Sequence, residues 1–108
     1  MAIEFTDANF AAEVEKFSGT VLIDFWAPWC GPCKIQGPIV EQIAEEMKGN
    51  ANLKIGKLNV DDNPNTSQQF GVMSIPTLII YKNGKVVEEL VGLRQKPAIE
   101  SAVKKHLG

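Results

Sequence analysis

Hydrophobic residues follow two different periods along the chain, and the change between them predicts its central elements. Residues 21–27, VLIDFWA, form a nearly continuous apolar run rich in β-branched and aromatic side chains, which is typical of a strand covered on both faces. We therefore expect this strand to lie in the middle of a sheet. After it, apolar residues recur at every fourth position, which predicts one buried face of a helix that ends at KGN, residues 48–50. These residues are Ile35, Ile39, Ile43 and Met47.

A second strand is predicted after this helix, at residues 53–60, LKIGKLNV. Two strands joined through a helix form a βαβ unit with parallel strands and a right-handed crossover. An earlier helix is indicated by Phe10, Val14 and Phe17, and it follows a short strand at residues 3–5. The first half of the chain is thus predicted to alternate strands and helices.

The second half contains a clear hairpin signal. DDNPN at residues 61–65 is typical of a turn, and it precedes a short helical stretch that ends at Gly71. TLIIYK and KVVEELV then flank Asn83-Gly84, which predicts a two-residue turn between antiparallel strands. A last amphipathic helix is predicted from Ala98, Ile99, Ala102, Val103 and Leu107. The order of elements predicts an α/β fold, a central mixed sheet of about five strands flanked by about four helices.

Composition limits the classes of function. With 108 residues, of which 44% are hydrophobic, residues 1–108 are expected to form a single domain with one core. Eleven Lys and Arg against thirteen Asp and Glu leave a net charge of -2 without a basic block, which argues against nucleic-acid binding. The start lacks the order of a secretory signal, and no apolar run is long enough to span a bilayer. We therefore expect a cytoplasmic protein that binds neither nucleic acid nor a membrane, although a mature exported domain would have the same features.

The two cysteines, Cys30 and Cys33, are separated only by Gly31 and Pro32 in the stretch DFWAPWCGPCK. A disulfide across so short a loop stabilises a fold little, because the effect grows with loop length. A structural zinc site normally needs four ligands, and His106, which we expect to be solvated, is the remaining soft ligand. No metal site is therefore expected within one chain, although a site shared by two chains stays open. A dithiol at a strand-to-helix junction instead indicates redox chemistry.

The predicted helix start assigns different roles to the two thiols. The sulfur of Cys30 would face unpaired N–H groups and the positive end of the helix dipole, which favour the attacking thiolate form. Cys30 is therefore the predicted nucleophile. Cys33, one turn further on, is the predicted resolving thiol that releases substrate from a mixed disulfide. Pro32 costs no hydrogen bond in the first turn and Gly31 lets a partner's backbone approach, so both are expected to tune the pair.

Asp24 interrupts the apolar strand that precedes the cysteines. In an extended strand it shares one face with Leu22 and Trp26, and since residues on the other face are also apolar, both faces are expected to be buried. A buried carboxylate is costly, which favours a proton-handling role toward Cys33. An ordinary buried acid held by hydrogen bonds is the alternative.

These motifs together resemble the thioredoxin family over essentially the whole chain. They are WCGPCK after DFWA, IPT at residues 75–77, NG at 83–84 and VG at 91–92. The resemblance implies the thioredoxin fold and dithiol–disulfide exchange, with the Cys30–Cys33 pair as the redox centre and without a cofactor. It also implies a monomer that takes electrons from a thioredoxin reductase and acts on disulfide-containing proteins. Gly-Pro between the cysteines points to a reductase, whereas an oxidase or isomerase, or a binding subunit that uses the same surface, stays open.

The resemblance further implies a substrate-docking surface around the nucleophile. Its residues would be Trp29, Ile75, Pro76, Val91 and Gly92. The resemblance also implies a cis peptide before Pro76, which would leave the backbone of residue 75 free to pair with an extended substrate segment. By the same resemblance Lys57 is expected near Asp24 as part of the catalytic group, although a lysine whose stem runs past the core explains it equally well.

Overall fold

The structure, a computed structural model, describes residues 1–107 and contains one mixed sheet. The strands are Ile3–Phe5 (β1), Thr20–Trp26 (β2), Leu53–Asn59 (β3), Thr77–Lys82 (β4) and Lys85–Val91 (β5). Their order across the sheet is β1-β3-β2-β4-β5, in which β3 pairs in parallel with β1 and β2, and β4 pairs antiparallel with β2 and β5. The central position predicted for the VLIDFWA strand is confirmed.

Helices cover both faces of the sheet. They are Gly31–Glu46 (α1), Pro64–Gln69 (α2) and Lys96–Lys105 (α3), together with a π-helical turn at Ala11–Glu15. Residues from α1 and α3 pack on one face, while the π-helical turn and the residues after α2 pack on the other. The predicted α/β fold is confirmed, with five strands and four helical segments in the described part of the chain.

The strand β2 is buried on both sides because its side chains alternate between two hydrophobic clusters. Leu22 packs with Val40 and Ile43 of α1 on one face. Val21, Ile23 and Phe25 pack on the other face, with aromatic residues from the first part of the chain. The alternation places Asp24 on the same side of the sheet as Leu22 and α1. This side of β2 leads directly into the turn that carries the cysteines.

The hairpin between β4 and β5 has the predicted turn. Asn83 and Gly84 both have positive φ, at 53° and 80°. A two-residue turn of type I′ requires positive φ at both central residues, and Asn and Gly are the residues that adopt it most readily. The Asn-Gly prediction is therefore confirmed in its local geometry.

The buried face of α1 differs from the sequence prediction. Ile35 is 56% exposed, whereas Ile43 is buried. A strict four-residue repeat drifts around a helix of 3.6 residues per turn, so the face that stays against the sheet has to alternate steps of three and four. Two of the residues on that face, Gln36 and Gly37, are not hydrophobic and gave no signal. The buried residues are Cys33, Gln36, Gly37, Val40, Ile43 and Ala44.

His106 was expected to be solvated, and this prediction is wrong. Its side chain is 20% exposed, and Nε2 lies 2.8 Å from Oε1 of Glu88. Its carbonyl oxygen accepts hydrogen bonds from the Thr20 hydroxyl at 2.8 Å and from Lys82 Nζ at 2.9 Å. The end of the chain is therefore tied to β2, β4 and β5, because the sheet brings their polar side chains to the same place.

Candidate active site

Cys30 and Cys33 form a disulfide where β2 leads into α1. Cys30 is the N-cap residue of α1 and has an extended backbone, with φ -86° and ψ 113°. Its Sγ accepts a hydrogen bond from the backbone N–H of Cys33 at 3.3 Å. The sulfur thus occupies the place of the side-chain oxygen that commonly caps a helix, at the positive end of the helix dipole. Pro32 follows in the first turn, where its missing N–H costs no intrahelical bond.

The disulfide lies just below the protein surface. Cys30 and Cys33 are only 5% and 3% exposed, although Trp29 and Gly31 beside them are exposed. The two sulfurs therefore differ in position more than in exposure. Sγ of Cys30 caps the helix and lies 3.8 Å from the carbonyl oxygen of Ile75, on the neighbouring loop.

Trp29 forms one side of an apolar surface next to the disulfide. The indole is 69% exposed, and its Nε1 donates a hydrogen bond to Oδ2 of Asp61 at 3.0 Å. Together with Val72, Met73 and Ile75 it lines a groove of about 220 Å³. The sequence did not single out Asp61, which lies in the predicted turn, or Met73, whose exposure beside the IPT motif no pattern indicated.

The other side of this surface is formed by two loops that are bonded to each other. The Ile75–Pro76 peptide is cis, as the resemblance implied. Gly92 has a φ of +91°, which favours glycine, and its N–H donates to the carbonyl oxygen of Pro76 at 2.8 Å. Val91 is exposed at the end of β5. The structure therefore brings all five predicted docking residues into the neighbourhood of the disulfide, although Pro76 itself is buried.

Asp24 is fully buried, and neither of its carboxylate oxygens has a hydrogen-bond partner among the described residues. Burial raises the pKa of Asp24 from 3.8 to about 7, while the charge of Lys57 lowers it and that of Glu41 raises it by smaller amounts. The acid thus changes its protonation state near neutral pH.

Lys57 lies directly opposite Asp24 in the parallel pairing of β2 with β3. Its Nζ is 3.7 Å from Oε2 of Glu41 and 5.1 Å from the centre of the Trp26 ring. The charge of Lys57 acts on the pKa of Asp24, and its ammonium group lies beside a partly exposed carboxylate. The sequence did not single out Glu41, which lies on α1 four residues after Gly37. A Cβ at Gly37 would lie only 3.2 Å from the Lys57 Nζ.

Comparison with known proteins decides the family. A thioredoxin family model matches residues 1–105. The thioredoxin of Bacillus subtilis is 50% identical over 105 residues, which cover 97% of each chain. The thioredoxin of Listeria monocytogenes is 51% identical over 107 residues, 99% of this chain and 100% of its own, and that of Chlorobaculum thiosulfatiphilum is 49% identical over 105 residues, 97% and 95%. The chain belongs to the thioredoxin family.

Thioredoxins are thiol–disulfide oxidoreductases, and this thioredoxin is a protein-disulfide reductase whose redox-active centre is the Cys30–Cys33 disulfide. Thioredoxins need no cofactor, because the disulfide that accepts and donates electrons is part of the chain. Within residues 1–107, no group of three or more His, Cys, Asp or Glu side chains could hold a metal ion. Among these described residues, no helix is long and apolar enough to cross a membrane.

The burial of Asp24 predicts an unusual dependence of stability on pH. Because the folded-state pKa lies above that of the unfolded chain, the protonated acid is tolerated, and stability is lost as pH rises from about 4 towards about 7. We expect Asp24→Asn to raise the free energy of unfolding at pH 8 by on the order of 2 kcal/mol, since relief of the buried charge exceeds the cost of the unmatched amide. The gain should vanish near pH 4 in urea titrations.

The control is Asp62→Asn, which changes an exposed acid on the loop before α2. We expect this variant to change the free energy of unfolding by less than about 0.5 kcal/mol. An Asp24→Asn protein that is less stable than the parent at every pH would contradict the buried-charge account.

Proposed function

We propose that this thioredoxin carries electrons from a thioredoxin reductase to the disulfides of other proteins, with Cys30 as the attacking thiol and Cys33 as the resolving thiol. The observation that carries the assignment is the hydrogen bond from the Cys33 N–H to Sγ of Cys30. It places the Cys30 sulfur at the helix N-terminus, where a negative charge is stabilised. Cys33 lies inside the first turn and has no such position.

In the first step the Cys30 thiolate attacks one sulfur of a substrate disulfide. A new bond forms between Cys30 and that sulfur, and the other substrate sulfur leaves with the electron pair of the broken bond and takes up a proton. Substrate and thioredoxin are then joined by a mixed disulfide. The exposed residues on both sides of Cys30 leave the access that this bond requires.

In the second step Cys33 loses its proton and attacks the Cys30 sulfur, which expels the substrate sulfur as a second thiolate. The substrate gains two electrons in total, and thioredoxin ends as the disulfide seen in the structure. The Cα atoms of the two cysteines are 5.3 Å apart, within the range of an ordinary disulfide. The ring can therefore close without rearrangement of the helix.

Asp24 is the proposed acceptor of the Cys33 proton. A general base works best when its pKa lies near the working pH, and burial raises the pKa of Asp24 to about 7. We propose that Lys57 helps the acid to ionise when the proton leaves. Lys57, which pairs with Asp24 across the two strands, lines a cleft of about 430 Å³ together with Glu41 and the exposed Glu4, and we propose that the proton leaves Asp24 towards this cleft.

The docking surface fits an extended protein segment on either side of a disulfide. Trp29 and Ile75 offer apolar contacts along the groove, and Val91 and Gly92 continue the surface on the far side of Pro76. Segments of this kind bind through backbone pairing beside a sheet, with pockets for alternate side chains. Gly31 and Pro32 lie between the two thiols, and we propose that their exposed backbone lets the substrate approach closely.

The partners and the compartment follow from the need to reduce the disulfide again after each turnover. We propose a thioredoxin reductase as the donor and the cytoplasm as the compartment, because a dithiol that works as a reductant is maintained where thiols are kept reduced. We also propose that the protein is a monomer, in which the docking surface stays free for substrates. An oxidase or isomerase would use the same cysteines in the other direction, and a measured redox potential separates it from a reductase.

The order of attack is tested by trapping. Cys33→Ser should accumulate a mixed disulfide with a protein substrate, because the resolving thiol is absent, whereas Cys30→Ser should form little. Intact mass spectrometry after brief incubation with the oxidised substrate measures both adducts. Adducts that form mainly in the Cys30→Ser protein would reverse the two roles.

The role of Asp24 is tested by the pH dependence of the second step. In Asp24→Asn, resolution of the mixed disulfide should be at least about tenfold slower near pH 7, because no base accepts the proton. The two proteins should converge towards pH 9, where thiols ionise without help. Single-turnover reduction between pH 5 and 9 gives this profile, and equal rates at every pH would rule out a proton-handling role.

A further inference from the structure

Gln36 is fully buried in α1, three residues after Cys33. Its side-chain amide makes two hydrogen bonds with the backbone of one residue, Arg94. The Arg94 N–H donates to Oε1 at 2.8 Å, and Nε2 donates to the Arg94 carbonyl oxygen at 3.1 Å. The amide therefore pairs with the chain as a neighbouring strand would, and both of its polar atoms are satisfied.

Arg94 lies in the loop between β5 and α3, two residues after Gly92. Its Nη1 donates to the carbonyl oxygen of Val91 at 2.9 Å, and the Gly92 N–H is bonded to Pro76. This short loop thus holds one of the proposed docking residues, Gly92, follows a second, Val91, and is bonded to a third, Pro76. The bonds from Gln36 connect it to the helix that begins at Cys30.

At the other end of the loop, the Gln95 carbonyl oxygen accepts the first-turn backbone bonds of α3 from the N–H groups of Ala98 and Ile99. Gln95, the N-cap residue of α3, makes no side-chain hydrogen bond to the helix. An apolar residue at position 36 would suit the face that also buries Val40 and Ile43, and it would avoid burying an amide. Without the amide, however, the Arg94 N–H and carbonyl would lose both partners, and the loop would be free to shift.

We propose that Gln36 is a positioning residue, which fixes the distance between the active-site helix and the Val91–Gly92 loop and thereby sets the docking surface for protein substrates. The inference rests on the proposed docking role of this loop. It concerns binding of the substrate chain and not the thiol exchange itself. Protein disulfides and small disulfides should therefore respond differently to its loss.

The test is Gln36→Met, which keeps a side chain of similar length without either hydrogen bond. We expect the KM for an oxidised protein substrate, insulin, to rise about fivefold to thirtyfold, while kcat stays within about twofold. The rate of reaction with a small disulfide, oxidised glutathione, should stay within about twofold of the parent, since it needs little beyond Cys30. An equal loss with both substrates, or no loss with insulin, would overturn the proposal.

The matched control is Thr20→Val, which removes a buried hydroxyl that donates to the His106 carbonyl at the opposite end of β2. This variant should be less stable, but its activities with insulin and with oxidised glutathione should change by the same factor. If only Gln36→Met affects the two substrates differently, a general loss of stability is excluded as the cause. A second measurement, amide hydrogen exchange at Arg94, is made on the parent protein and so does not depend on whether the variant folds. The Arg94 amide should be protected, and exchange at the rate of an open loop would also overturn the proposal.

The same assays separate this inference from the proposed function. A parent protein that reduces oxidised glutathione but not insulin would contradict the docking role itself, whatever Gln36 does. A parent protein that reduces both, with a Gln36→Met variant that behaves like it, would contradict only the positioning role.

Discussion

The hydrogen bond between the Cys33 N–H and the Cys30 sulfur is the interaction on which the site depends, because it fixes the sulfur at the start of α1. This bond requires that Cys30, which follows β2, has an extended backbone and that the helix begins at the next residue. The strand β2 is paired on both edges and buried on both faces. It therefore holds the backbone before Cys30 in a fixed position. The loop at Ile75, which precedes the neighbouring strand β4, then meets the same sulfur.

One residue of β2, Asp24, is buried at a cost in folding free energy. Asp24 is fully buried without a hydrogen bond to any of residues 1–107, a situation that an apolar side chain of similar size would avoid. Lys57 and Glu41 act on its pKa in opposite directions, so the raised value comes from burial. The fold thus keeps a buried acid on the side of the sheet that is covered by the helix carrying both cysteines, and strongly shifted pKa values of this kind are common at functional sites.

The sequence was sufficient for those parts of the fold that depend on local chemistry. The apolar run of β2, the Asn83-Gly84 turn and the junction at Cys30 all have strong local signals, and each was predicted correctly. Contacts between distant segments could not be predicted. Gln36 has a partner 58 residues away, and His106 meets Glu88 only because the sheet and α3 bring them together. The exposure of Ile35 likewise depends on which face of α1 meets the sheet, and no repeat in the sequence specifies that face.

The most direct test of the account compares the two thiols within one reduced protein. Brief alkylation with iodoacetamide at pH 7, followed by peptide mass spectrometry, gives the rate of modification at each cysteine. If the helix start stabilises the thiolate of Cys30, that residue should react at least about tenfold faster than Cys33. Equal rates, or faster modification of Cys33, would contradict the claim that the N-cap position makes Cys30 the nucleophile.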